Sequence, residues 1–158
     1  MSAREEAHHG VTDEMSKRRD ALRVLGQREF YGIPQSAGIA RRWVVDLLSA
    51  HVSGEVLEMA ELLVGEVVAN AVVHSDSRKP GGLVTVWAGL DADLIHIEVI
   101  DDGSATSVPT MRLADDDSLN GRGLGRVDLL ASAWGIGRDD EAGGILWFQI
   151  PHDGPTPS

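Results

Sequence analysis

Between Val56 and Ser75 the chain reads VLEMAELLVGEVVANAVVHS, with apolar residues returning every three to four positions. That period predicts one long helix. On a helical wheel Leu57, Ala60, Val64, Val67, Val68 and Ala71 fall on one core-facing side. Glu66, Asn70 and His74 stand at successive i, i+4 positions on nearly the opposite side and share one stripe. The neighbours of that stripe are Leu62, Leu63, Ala69 and Val73, where an ordinary solvated face would carry Lys, Glu and Arg. A polar stripe in apolar surroundings suits either the lining of a cavity or a half-buried Glu–Asn hydrogen bond.

The same reading extends in both directions. Residues 1–28 mix charges, His and Gly with few large apolar groups and are expected to form a mobile tail, with at most a turn or two of helix over Arg18 to Gln27. Glu29 to Ile33 (EFYGI) reads as a short strand ended by Pro34. Gln35 to Ala50 reads as an amphipathic helix burying Ile39, Trp43, Val44, Leu47 and Leu48. After the long helix, DSRKPGG is a turn signal. Leu83 to Leu90 and Leu94 to Ile100 are then predicted strands, joined by Asp91-Ala92-Asp93 as a hairpin. In the second strand Ile95, Ile97 and Val99 alternate with His96 and Glu98, which predicts the former inward and the latter outward. Ser104 to Asn120 has no periodicity and, inside a domain, suits a lid. Gly121 to Gly125 leads into a short helix over Arg126 to Ala133. Gly135 to Arg138 and Ile145 to Ile150 read as a final hairpin with a DDEAGG turn, and 152–158 as a frayed end. Hairpin-joined strands and interspersed helices predict an α+β domain over 29–151. It would be a two-layer sandwich, a mostly antiparallel sheet covered on one face by helices.

Composition sharpens this in three respects. At 158 residues the chain has the length of one domain, and an aromatic content of 4% leaves a core of Leu, Val, Ile and Ala. The absence of cysteine removes disulfides and thiolate metal sites, and no apolar run is long enough for a membrane span. The N-terminus, MSAREEAHHG, lacks an apolar signal region, so a soluble cytoplasmic protein is expected. Residues 1–29 carry six Lys/Arg against six Asp/Glu, so residues 30–158 hold the whole net charge of −11. Nucleic-acid binders show basic patches, and none is visible.

Three stretches carry candidate chemistry. An Asn oxygen such as that of Asn70 can ligate a phosphate-bound Mg²⁺ without adding charge, and a Glu one turn away, Glu66, can act as general base. Asp101, with Asp102 and Gly103 at a strand end, can accept a hydrogen bond from an amino group, while Gly103 admits a flat ring close to the backbone. An Asp-Gly at a strand end is also an ordinary turn. Gly121-Arg122-Gly123-Leu124-Gly125 before a helix can turn several N–H groups towards phosphate, although flexible linkers look alike. No GxxxxGK[ST] is present, which excludes a P-loop.

Taken together, these stretches resemble the GHKL (Bergerat-fold) ATP-binding superfamily. The N box E-x-x-x-N-A corresponds to Glu66–Ala71, the first glycine box D-x-G-x-G to Asp101–Ala105, and the second, G-x-G-L-G, to Gly121–Gly125. The phrases GEVVANAVVHS, IEVIDDG and GRGLGRVDLLASAWGI are similar to the anti-sigma-factor serine kinases, within a resemblance spanning about Phe30 to Pro151. The resemblance implies a Bergerat ATP-binding fold with ATP and Mg²⁺ as ligands. Asn70 would hold the metal and Glu66 would activate the attacking hydroxyl. Asp101 would read the adenine amino group, and Gly103 would admit the ring. Residues 104–121 would form the ATP lid, with Arg122, Gly123, Leu124 and Gly125 at the phosphates. His74 is expected to play a structural part.

It further implies a serine/threonine-protein kinase that acts as an anti-sigma factor. Such a protein phosphorylates an anti-anti-sigma (STAS-type) partner, sequesters a sigma factor and pairs as a homodimer. Three departures stand out: Ala105 in place of the second glycine, the second carboxylate Asp102, and Asp115-Asp116-Asp117 in the lid. Ala105 and the acidic lid support a second reading, a non-catalytic, nucleotide-gated protein-binding regulator.

Overall fold

The computed structural model describes residues 17–52, 54–74, 81–102, 127–139 and 143–154. Five strands form one sheet, β1 (Arg23–Tyr31), β2 (Leu83–Leu90), β3 (Leu94–Ile100), β4 (Ala133–Asp139) and β5 (Gly143–Pro151), in the order β1-β2-β3-β5-β4. Every neighbouring pair is antiparallel. Two helices, α1 (Ser36–Leu48) and α2 (Gly54–His74), cover one face. The expected α+β two-layer sandwich is thus observed. β2 and β3 begin and end where the alternation and the turn residues put them.

α2 lies over the sheet and against α1, burying Ala60, Leu63, Val64, Val67, Val68, Ala71 and Val72 against Val84, Val86, Ile95, Ile97, Val99 and Phe148. Leu63, expected beside the polar stripe, is fully buried because α2 packs on two neighbours and needs a wider apolar arc than a helix on a sheet alone. Gly54 opens α2 with a φ of +63°, a left-handed conformation that a side chain would strain. α1 presents Ala37, Ala40, Val44 and Leu48 inward, with Trp43 half-buried edge-on against Phe30 at 5.9 Å. Ile39, expected in the core, is 36% exposed, because the small residues Ala37 and Ala40 take the inward arc of that turn. The short helix expected over Arg126–Ala133 is, within the described residues, one turn at 127–130, and Ala133 already belongs to β4.

The largest difference lies at the N-terminus. β1 starts at Arg23, not at Glu29, and pairs with β2 from Arg23↔Leu90 to Tyr31↔Leu83, with an irregularity between Val24 and Gly26. Residues 23–28, read as tail, belong to the sheet. β1 is an edge strand on which only Phe30 is buried, so it carries charges (Arg23, Arg28, Glu29) where a central strand would alternate.

Residues 17–22 also pack, on the face of the sheet away from the helices. His96 and Glu98 point to that face, as their alternation predicts, yet neither side chain is exposed at all. Glu98 sits in a row that crosses the whole sheet, Gln27–Trp87–Glu98–Trp147–Gly135. The indole of Trp147 lies over Gly135 and that of Trp87 over Gly89, positions where a Cβ would come within 2.7 Å of each ring. Arg19 closes over this row. Its Nε donates to both Glu98 oxygens at 3.1 and 3.3 Å, its Nη2 to Oε1 at 2.5 Å, and its guanidinium carbon stands 5.2 Å from the Trp87 ring. Arg18 stacks on Trp147 at 3.9 Å. His96 shares the network, with Nε2 2.9 Å from Glu98 Oε2 and Nδ1 3.1 Å from the Gln149 amide. Burial pushes the Glu98 carboxyl up, but hydrogen bonds from His96 and Arg19, with the charge of both, outweigh it and leave Glu98 below its ordinary value. Around Glu98 the second face is therefore covered as well, by a clasp of two arginines carried on a helical turn at 17–20.

Candidate functional site

Where β3 ends, α2 and the β4–β5 hairpin converge. Val67, Asn70 and Ala71 of α2, Val99 and Asp101 at the end of β3, and Ile136, Ile145 and Leu146 line one cleft. It has about 20 Å³ of free space, room for a water or a single ion. The walls are apolar apart from Asn70 and Asp101, so the two polar side chains stand out chemically. The helical period brings Asn70 inward and the end of β3 brings Asp101 to meet it. Two candidates from distant parts of the sequence thus share one site.

Asn70 is 8% exposed, and its Oδ1 is fully buried with no hydrogen-bond partner among the described residues. An orphaned amide oxygen costs about 1–3 kcal/mol of desolvation. A hard cation is one group that would satisfy it, since Mg²⁺ takes oxygen ligands. Among the described residues no group of three or more His, Asp or Glu is placed to hold a metal. An ion beside Asn70 would therefore draw most of its ligands from phosphate oxygens and water, the usual arrangement for Mg²⁺. The donor chemistry fits. Glu66, one turn before Asn70, is half-buried on the same stripe of α2.

Asp101 and Asp102 separate in role. The Asp101 backbone N–H donates to Gly144 O at 2.8 Å, and Gly144 N–H donates to Asp101 Oδ1 at 3.0 Å, so Asp101 is fixed to the start of β5. The exposed Asp102 turns the other way and accepts the Leu83 N–H on Oδ2 at 2.9 Å, tying the end of β3 to the start of β2. The second carboxylate expected beside the adenine reader is thus engaged on a neighbouring strand.

Gly103, Arg122, Gly123, Leu124 and Gly125, the lid with Ala105 and Asp115–Asp117, and the His74 side chain lie outside the described residues. Sequence reasoning missed Gly144, which it took as part of a turn, and the apolar wall from Ile136, Ile145 and Leu146. The Gly143-Gly144 pair before an apolar run was the available signal. At the opposite end of the sheet a wider hollow of about 530 Å³ is lined by Arg23, His51, Leu90, Asp91 and His152. Its His152 is already bonded to Asp91 O at 2.7 Å and to the Gly154 N–H at 2.9 Å. Among the described residues it holds no orphaned buried side-chain atom, so it lacks the mark that singles out the Asn70 cleft.

Among the described residues no helix is long and apolar enough to cross a membrane. Comparison with curated proteins gave no match. A family model described as histidine kinase-like ATPase domain matches residues 33–150, from the turn before α1 to the last core residue of β5. That span takes in both helices, Asn70, Asp101 and the β4–β5 wall, and the chain belongs to the histidine kinase-like ATPase domain family.

Proposed function

We propose that this ATPase-like domain is an ATP- and Mg²⁺-dependent serine/threonine-protein kinase working as an anti-sigma factor, with a STAS-type anti-anti-sigma protein as its substrate. The observation that carries the nucleotide reading is the orphaned Asn70 Oδ1 in the same cleft as Asp101. The order of the Glu66–Ala71, Asp101–Ala105 and Gly121–Gly125 boxes supports the superfamily, and the phrases GEVVANAVVHS, IEVIDDG and GRGLGRVDLLASAWGI support the kinase branch.

In this reading Asp101 accepts a hydrogen bond from the adenine amino group, and Asn70 gives Mg²⁺ an oxygen ligand. Bound Mg²⁺ neutralises phosphate charge and orients the γ-phosphoryl group. Glu66 accepts the proton of the partner's Ser hydroxyl as that oxygen bonds to the γ-phosphorus and the bond to the β–γ bridging oxygen breaks, releasing ADP. Gly103 admits the ring, and Arg122, Gly123, Leu124 and Gly125 hold the phosphates. A sigma factor is the second partner, and two copies form a homodimer.

The test is incubation with γ-labelled ATP, Mg²⁺ and a candidate anti-anti-sigma domain, for wild type and Glu66→Ala. Label on the partner with wild type, reduced by about 10²-fold or more in the variant, is expected. ATP binding without transfer would instead establish the alternative, a nucleotide-gated protein-binding regulator. Ala105 and the acidic Asp115–Asp117 favour that second reading.

A further inference from the structure

We infer that Gly144 is a positioning residue that sets the purine selectivity of the cleft, an inference that rests on reading the cleft as a nucleotide site. Gly144 faces Asp101 across the β3–β5 edge and makes two contacts with it. Its carbonyl accepts the Asp101 N–H at 2.8 Å, and its own N–H donates to Asp101 Oδ1 at 3.0 Å. The first contact continues the sheet ladder beyond Ile100↔Ile145. The second leaves the ladder and fixes a side chain, which sheet pairing alone does not require.

The closeness depends on the missing side chain. A Cβ at Gly144 would stand 2.8 Å from Asp101 Oδ1, 3.2 Å from Oδ2 and 3.4 Å from Cγ. No carbon is tolerated at 2.8 Å from an oxygen, so any other residue displaces the carboxylate. Gly144 is buried, which leaves the displaced group little room on that side.

The electronic consequence follows from what a carboxylate can do. Ionised Asp is acceptor-only, with about four lone-pair sites, of which Gly144 N–H takes one. The bond from Gly144 restricts the orientation of the carboxylate, which lines the cleft and has the capacity to accept more than one donor. A 6-amino purine offers a donor to that oxygen, whereas a 6-oxo purine offers a second acceptor and is repelled. A site built to accept a donor hydrogen bond rejects ligands that lack it far more strongly than an apolar pocket can. Gly144 touches no nucleotide in this scheme and acts through Asp101.

The experiment measures ATP and inosine triphosphate affinities, with Mg²⁺, for the full wild-type chain and Gly144→Ala. Wild type is expected to prefer ATP. Gly144→Ala is expected to lose about tenfold in ATP affinity while inosine triphosphate changes less than about twofold, so the preference collapses. An equal loss for both nucleotides, or an unchanged ratio, overturns the role of Gly144. Wild type binding neither nucleotide overturns the nucleotide reading itself, a distinguishable failure. If Gly144→Ala does not fold, amide hydrogen exchange at Gly144 is compared between wild type and Asp101→Ala. Faster exchange in the variant supports the contact, and unchanged exchange overturns it.

Discussion

Replacing Arg19 with Ala tests the arginine clasp directly. The change strips a side chain that is 35% exposed from a Glu98 carboxylate that is not exposed at all. Removing one partner of a fully buried ion pair costs about 3–5 kcal/mol, because the other charge is left uncompensated in a medium of low dielectric. Two features reduce that figure here. Water reaches Arg19 and already screens part of its attraction, and His96 still donates to Glu98 at 2.9 Å. The Arg19–Trp87 contact adds about 0.5 kcal/mol. Arg19→Ala should therefore lose about 2 kcal/mol at pH 7, or about 4–8 °C in Tm for a domain of this size. Urea unfolding followed by tryptophan fluorescence and by circular dichroism measures it.

The pH dependence has a definite sign. Glu98 lies below its ordinary value of 4.5 in the folded chain, so it contributes stability above that value which is lost as pH falls through the lower folded value. The difference between wild type and Arg19→Ala should therefore shrink as pH falls below 4.5 and through the lower folded value. Glu98→Gln removes the charge that needs compensating, so the double variant should lose less than the two single losses added together. Strict additivity, or an Arg19→Ala loss below about 0.5 kcal/mol, would refute the buried-pair argument.

Two further outcomes separate binding from folding. Asn70→Ala should weaken Mg²⁺-dependent ATP binding, measured by calorimetry with and without the metal. Its folding stability should not fall by more than about 1 kcal/mol, because the oxygen removed has no partner among the described residues. Asp102→Ala should do the reverse. Loss of the acceptor for Leu83 N–H at the exposed start of β2 should cost about 0.5–1 kcal/mol in urea unfolding, with ATP affinity unchanged within about twofold.

How far the structure could be read from the sequence differed by region for physical reasons. β2 and β3 were legible to the residue because each is bounded by turn chemistry and has one face on the core. β1 was not, since an edge strand needs charge more than alternation, and Arg23, Arg28 and Glu29 obscured its pattern. The outward turn of Glu98 and His96 was readable from a period of two. Their burial was not, because the arginine that covers Glu98 lies 79 positions away and no local pattern carries it. In the cleft, Asn70 was visible as part of a polar stripe in apolar surroundings, and Asp101 as a carboxylate closing a strand. That Gly144 clamps Asp101 depends on cross-strand register, which turn residues alone do not encode.

The arginine clasp also bears on how the chain is made. Synthesis runs from the N-terminus, so Arg18 and Arg19 emerge well before Trp147. At roughly 5–20 residues per second the arginines wait on the order of ten seconds for their partners. During that interval β2 and β3 can pair with Trp87 facing water and the Glu98 carboxylate hydrated. Covering the second face is then a late event of folding, open until β5 is released and available to whatever meets the nascent chain first.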